Sequence, residues 1–200
     1  VPWPAPDPDG WPSGDSTSAI EAHVDTLVRD TERYGTTYAV LVIKDGRLLL
    51  ERYGGAIPHW DRDDEPVGPT TQLLSWSMAK SVLHAAVGIL VADGLLDVDA
   101  PAPVPRWHDD PHDPRGAITL EHLLTMRDGL EFAEDYVDAG VSDVIEMLFG
   151  AGKDDVAAYA EARPAQHPPG EVFSYSSGTS TVAARSSSTS CGPACSTRSG

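Results

Sequence analysis

A chain of 200 residues, 40% hydrophobic and 22% charged, is long enough to bury a core and too apolar to read as disordered throughout. Its formal net charge of −17 repels phosphate backbones and anionic lipid, so nucleic acid and membrane surfaces are poor partners. No run of about 18 apolar residues occurs, so no membrane-spanning helix is expected, and the two cysteines, Cys191 and Cys195, lie too near the end for thiol catalysis in the body.

Residues 1–18, rich in Pro, Asp and Ser, predict an extended lead-in. They show no basic segment followed by an apolar one and so do not read as a secretory leader. Because the chain begins at Val1 rather than Met, the compartment stays open, with the cytoplasm slightly favoured. From Ala19 to about Arg33, Ile20, Val24, Leu27 and Val28 share one helical face, and Thr17 or Ser18 can cap it. Two β-rich runs, Tyr38–Ile43 and Arg47–Tyr53, flank Asp45-Gly46, which predicts a hairpin.

Residues 54–70 read as a polar loop, and the acidic run at 61–65 as its solvated part. A helix is expected from about Ser77 to Asp93, stopped by Gly94. It is apolar on nearly every face, which predicts a buried position. Thr119–Met126 and residues 141–149 and 153–162 predict three more helices. Residues 19–100 are thus expected to begin a mixed α/β domain, residues 101–170 to form a helical insert and residues 171–180 a loop. After Val182 no large apolar residue occurs, so residues 181–200 are expected to be a disordered tail, foreign in character to what precedes them. The Cys191/Cys195 pair is read as incidental to that tail rather than as a metal or redox site.

The sharpest chemical feature is Ser77-Met78-Ala79-Lys80 at the start of the apolar helix. Three residues apart on a helix, a hydroxyl and an amine can reach each other. A serine hydroxyl is a weak nucleophile at its own pKa and needs such a neighbour, while apolar surroundings disfavour a lysine's charged form and suit it to accept a proton. On pattern alone, a serine cap followed by a snorkelling lysine fits equally well. Tyr175, in the loop after Pro168-Pro169-Gly170, can relay a proton if it sits near Ser77, or can simply cover the edge of the core. His108 and His112 beside Asp109 and Asp110 read as a solvated loop, His122 as a packing residue, and His84 as a core histidine or an electrostatic neighbour of Lys80. Neither Gly-x-Ser-x-Gly nor His-Glu-x-x-His occurs, and no metal is implied.

The segments SWSMAKSV, ITLEHLLTMRDGLEF and HPPGEVFSYSSGTS, in this order, resemble the serine β-lactamase-related, penicillin-binding-protein-like hydrolases. That family includes class C β-lactamases, DD-peptidases, esterases and 6-aminohexanoate-dimer hydrolases, and the resemblance runs from about Tyr38 to Ser180. It implies an α/β (α+β), β-lactamase/transpeptidase-like fold, with an antiparallel sheet flanked by helices and a helical insert. It also implies that Ser77 is acylated with help from Lys80, and that Tyr175-Ser176-Ser177 is the second motif, with Tyr175 catalytic and Ser177 touching substrate. Serine at the third position departs from the asparagine of β-lactamases and resembles the ester and amide hydrolase branch. EDYVDAGVSDV resembles a tyrosine-bearing loop near the site, which makes Tyr136 a substrate contact. The third motif, a Lys/His-Thr-Gly element on a late strand, has no counterpart here, so the late strands are expected to be missing and the chain to be truncated or frame-shifted after Ser180. The implied function is a serine hydrolase acting on a small-molecule ester, amide or peptide without a cofactor. The alternatives are a slowly acylated sensor of the same fold and an inactive fragment.

Overall fold

The computed structural model describes residues 11–137 and 141–191, and the chain divides after Leu74 into two compact units. Residues 1–10 of the expected lead-in and residues 192–200, with Cys195, lie outside the described residues, as does the side chain of Cys191.

In the first unit Thr17 caps α1, Ser18–Arg29, by accepting from the Ile20 N–H. The helix stops at Asp30, whose side chain caps a second short helix, α2, Thr31–Tyr34, so the expected single helix is two. Strands β1, Ala39–Lys44, and β2, Arg47–Tyr53, pair antiparallel with a register shift between Val42 and Ile43. Asp45 and Gly46 turn the hairpin with φ of 51° and 73°, the doubly left-handed geometry that Asp-Gly favours. Val24 of α1 and Leu50 of β2 are buried, and the Arg52 guanidinium reaches Asp25 of α1 at 3.0 Å. Two short strands, β3 (Ala56–Ile57) and β4 (Glu65–Pro66), pair antiparallel around the polar loop.

The second unit is helical. A 3-10 turn, Trp76–Met78, runs into α3, Ala79–Ala92, and Gly94 closes the helix with φ of 71°. Then come α4 (Leu120–Leu124), α5 (Asp143–Phe149), α6 (Val156–Glu161) and α7 (Ser177–Cys191). Trp107, Ile118, Leu123, Val144, Met147 and Val182 centre the core. Trp107 is fully buried and its indole N–H donates to the Glu161 carbonyl at 2.9 Å, which satisfies its polar end. The fold is therefore mixed α/β, with a small antiparallel sheet and flanking helices; among the described residues no strand follows β4.

Two expectations are corrected. The apolar helix α3 buries only Val87, while Val82 and Ile89 are 71% and 62% exposed. Among the described residues of its own unit no strand lies across it, and Leu83 is its partly buried contact with the core. Residues 181–191 of the segment read as a disordered tail instead continue α7, while residues 192–200 of it lie outside the described residues. Small residues let that helix come close: Ala183, Ser186 and Ser187 are buried, and a Cβ on Gly178 would lie 3.1 Å from Ala160 Cβ of α6. Hydroxyls of Ser187 and Thr189 donate to carbonyls one turn back, and Arg185 pairs with Glu161 at 3.2 Å and also with Asp155. Composition misled here because it counts large apolar side chains, whereas close helix packing needs only small ones.

Candidate active site

Ser77 lies in the 3-10 turn and Lys80 in the first turn of α3, so one local geometry sets both. Lys80 Nζ donates to Ser77 Oγ at 3.1 Å. Trp76, the residue before the serine, has φ of 44°, a left-handed value uncommon for a bulky side chain and concentrated at functional sites. Ser77 is exposed and Lys80 half-buried.

The opposite side of the site is built by a ladder of backbone hydrogen bonds between residues 126–131 and 164–174. The Glu131 N–H donates to the Pro164 carbonyl at 2.9 Å, and those of Gln166 and His167 donate to the Gly129 carbonyl at 2.8 and 3.0 Å. The Gly170 N–H reaches the Arg127 carbonyl at 2.7 Å, and the Ser174 N–H the Met126 carbonyl at 2.9 Å. This ladder carries the chain to Tyr175, whose hydroxyl donates to Ser77 Oγ at 2.5 Å and whose ring centre lies 5.0 Å from Lys80 Nζ. Ser177 opens α7, and its Oγ accepts from Lys80 Nζ at 3.1 Å. Four residues named from sequence, Ser77, Lys80, Tyr175 and Ser177, thus share one hydrogen-bonded cluster across a separation of nearly a hundred positions.

Tyr136 reaches the cluster indirectly. Its hydroxyl donates to Glu134 Oε1 at 2.5 Å, and the same carboxylate accepts from the Ser177 N–H and Oγ, each at 2.7 Å. That hydrogen bond to a carboxylate, followed by partial burial, raises the Tyr136 hydroxyl above the usual tyrosine pKa. Glu134 was not singled out from sequence. Its signal was available: an acidic residue two positions before Tyr136, in a loop already suspected of facing the site.

Other sequence candidates stand apart. His84 is exposed on α3, not a core residue. His122 completes the cap of α4, its Nδ1 accepting from the Thr119 N–H at 3.2 Å. His108 Nε2 lies 3.1 Å from the Ala102 carbonyl, and His112 bonds through its backbone to Asp110 at 2.8 Å, both local to their loop.

A cavity of about 440 Å³ adjoins the cluster, within the range of small-molecule sites. Ser77, Lys80, Tyr136 and Ser177 give it polar atoms, and Trp76, Leu83, Met147, Leu148 and Ala184 give it a mainly apolar wall. Such a wall suits an apolar group held beside the serine.

Two solved structures share this architecture. One, from Bacillus anthracis, is provisionally described as a 6-aminohexanoate-dimer hydrolase; it is 19% identical, and the match covers 90% of this chain and 49% of that one at a TM-score of 0.56. The other, from Bacteroides dorei DSM 17855, is provisionally described as a β-lactamase; it is 20% identical, with 90% and 48% coverage at a TM-score of 0.60. This chain therefore spans about half the length of each. No curated protein matches it. The profile of the β-lactamase family matches residues 20–189, and since that match takes in both halves of the cluster around Ser77, the chain belongs to the β-lactamase family.

Proposed function

We propose that this chain carries the nucleophile of a serine hydrolase that cleaves a carboxylic ester or amide through an acyl-enzyme on Ser77. The observation behind this reading is the convergence on one hydroxyl: Ser77 Oγ lies 3.1 Å from Lys80 Nζ and 2.5 Å from the Tyr175 hydroxyl. Both distances fall within reach for proton transfer.

In the reaction, the neutral form of Lys80 takes the Ser77 proton, directly or through Tyr175, as Oγ bonds to the carbonyl carbon. The backbone N–H of Ser77 supports the developing oxyanion. Collapse of the tetrahedral species breaks the bond to the alcohol or amine, which leaves with a proton passed back through Tyr175. Water then attacks the ester on Ser77 and gives its proton to the same pair, which returns it to Ser77 Oγ as the bond from Oγ to the acyl carbon breaks and the acid leaves. Tyr136 and Ser177, on the cavity wall, are the proposed contacts for substrate, and the apolar wall favours an acyl group of low polarity.

The test is intact-mass analysis after exposure to a fluorophosphonate, alongside Ser77→Ala. One covalent adduct that vanishes in the variant is the expected result. A soluble, cooperatively folding chain that takes no adduct would overturn the hydrolase reading. A single acylation by an ester without turnover would instead identify a slowly acylated binder of the same fold.

A further inference from the structure

The geometry points to Glu134 as a positioning residue that sets the Ser77–Lys80 pair through the hydroxyl of Ser177. An ionised carboxylate only accepts hydrogen bonds. The Ser177 hydroxyl has one proton, and with Glu134 Oε1 at 2.7 Å that proton is committed to the carboxylate. The Ser177 N–H, donating to Oε2 at 2.7 Å, holds the other oxygen and fixes the carboxylate plane. Ser177 Oγ must therefore present its lone pairs elsewhere, and Lys80 Nζ lies there at 3.1 Å.

The consequence reaches the reacting atoms. A lysine amine rotates freely about its last bond and sits on a long flexible stem. Tied to Ser177 Oγ by one N–H, the Lys80 nitrogen is held with its remaining positions toward Ser77 Oγ, also at 3.1 Å, and over the Tyr175 ring at 5.0 Å. Glu134 touches neither Ser77 nor Lys80 among the hydrogen bonds of the site and acts through one intervening hydroxyl. A glutamine there has one acceptor oxygen for three converging donors, the Ser177 N–H, its hydroxyl and the Tyr136 hydroxyl. The Ser177 N–H cannot turn, so the amide oxygen takes the Oε2 place and the NH₂ group the Oε1 place, where it donates to the Ser177 hydroxyl and turns that hydroxyl's proton away from residue 134.

The catalytic consequence rests on the hydrolase reading above, whereas the positioning itself does not, and the experiment separates them. The lysines of the chain are Lys44, Lys80 and Lys153, and Lys44 and Lys153 are exposed. In protein carrying ¹³C-labelled lysine, the Lys80 side-chain resonances are expected to be displaced from the other two by the ring current of Tyr175, whose centre lies 5.0 Å from Nζ. Glu134→Gln is expected to return Lys80 toward the positions of Lys44 and Lys153 while leaving those two unmoved, which also reports an intact fold. Ser177→Ala should produce the same displacement, and Glu134→Gln added to it should produce no more, because the two act in series.

Fluorophosphonate labelling should slow about tenfold or more in Glu134→Gln, and not further in the double variant. Should Glu134→Gln not fold, Glu134→Asp, which withdraws the carboxylate by one methylene, is expected to move Lys80 in the same direction. An unmoved Lys80 resonance in a folded Glu134 variant overturns the inference. So does a second full loss of labelling when Glu134→Gln is added to Ser177→Ala. Displacement of Lys80 in a protein whose wild type takes no label would retain the positioning role and reject the hydrolase reading.

Discussion

Tyr175 and Asp128 show how differently two polar side chains of one unit are used. The Tyr175 hydroxyl is partly exposed and directed at Ser77 Oγ, while its ring stays beside Lys80. Tyr175→Phe keeps the ring and removes only the hydroxyl, so it should slow fluorophosphonate labelling by about 10²-fold with little change in melting temperature. Equal labelling by the variant would remove Tyr175 from the proton path. Asp128 is 5% exposed, and accepts from the Thr179 hydroxyl at 2.5 Å and the Leu130 N–H at 2.8 Å. Burial nevertheless dominates and raises its pKa above the usual carboxylate range. Between the ordinary value and its own, the folded chain holds a proton that the unfolded chain has lost, so this group's contribution to stability falls as pH rises through that window. Asp128→Asn should remove this slope, and its melting temperature relative to the parent should climb as pH rises above the ordinary carboxylate value of about 4. A constant difference across that range would mean that the two hydrogen bonds offset the burial.

At the level of elements, the piece that matters most is the backbone ladder between residues 126–131 and 164–174, since it delivers Tyr175 to the site. Gly129 is its tightest point, with φ of 77° and room for a Cβ only 2.2 Å from the His167 carbonyl oxygen. Gly129→Ala adds about 1–2 kcal/mol for the left-handed conformation before the backbone overlap is counted. It should lower the melting temperature and slow labelling together, and a variant that melts like the parent would show that the ladder yields without cost. This element was not legible as one. Pro168-Pro169-Gly170 reads as a turn, but nothing in the periodicity of either segment announces that they pair. The helices that were legible, α1 and α3 to α6, carried an apolar repeat or a capping residue that acts over four or five positions.

Across the molecule as a whole, the net charge of −17 opposes compaction. Raising ionic strength from about 0.01 M to about 0.15 M shortens the screening length from about 30 Å to about 8 Å and should raise the melting temperature. A fall instead would mean that local pairs such as Arg163–Asp143 and Arg185–Glu161 outweigh the net repulsion. The residues alone were enough for the hairpin at Asp45-Gly46, for most helices, and for the Ser77–Lys80 pair, whereas Tyr175 and Ser177 were named through the family resemblance. Those features depend on short-range backbone preference, or on a motif whose spacing puts Ser77 and Lys80 on one helical turn. Three others needed the folded chain: the meeting of Tyr175 and Ser177 with Ser77 and Lys80, the exposure of α3, and the ordering of α7 by small side chains. Glu134 belongs with them. The resemblance around Tyr136 marks its loop, but its own place in the site comes from contacts 43 residues away, which depend on how elements pack.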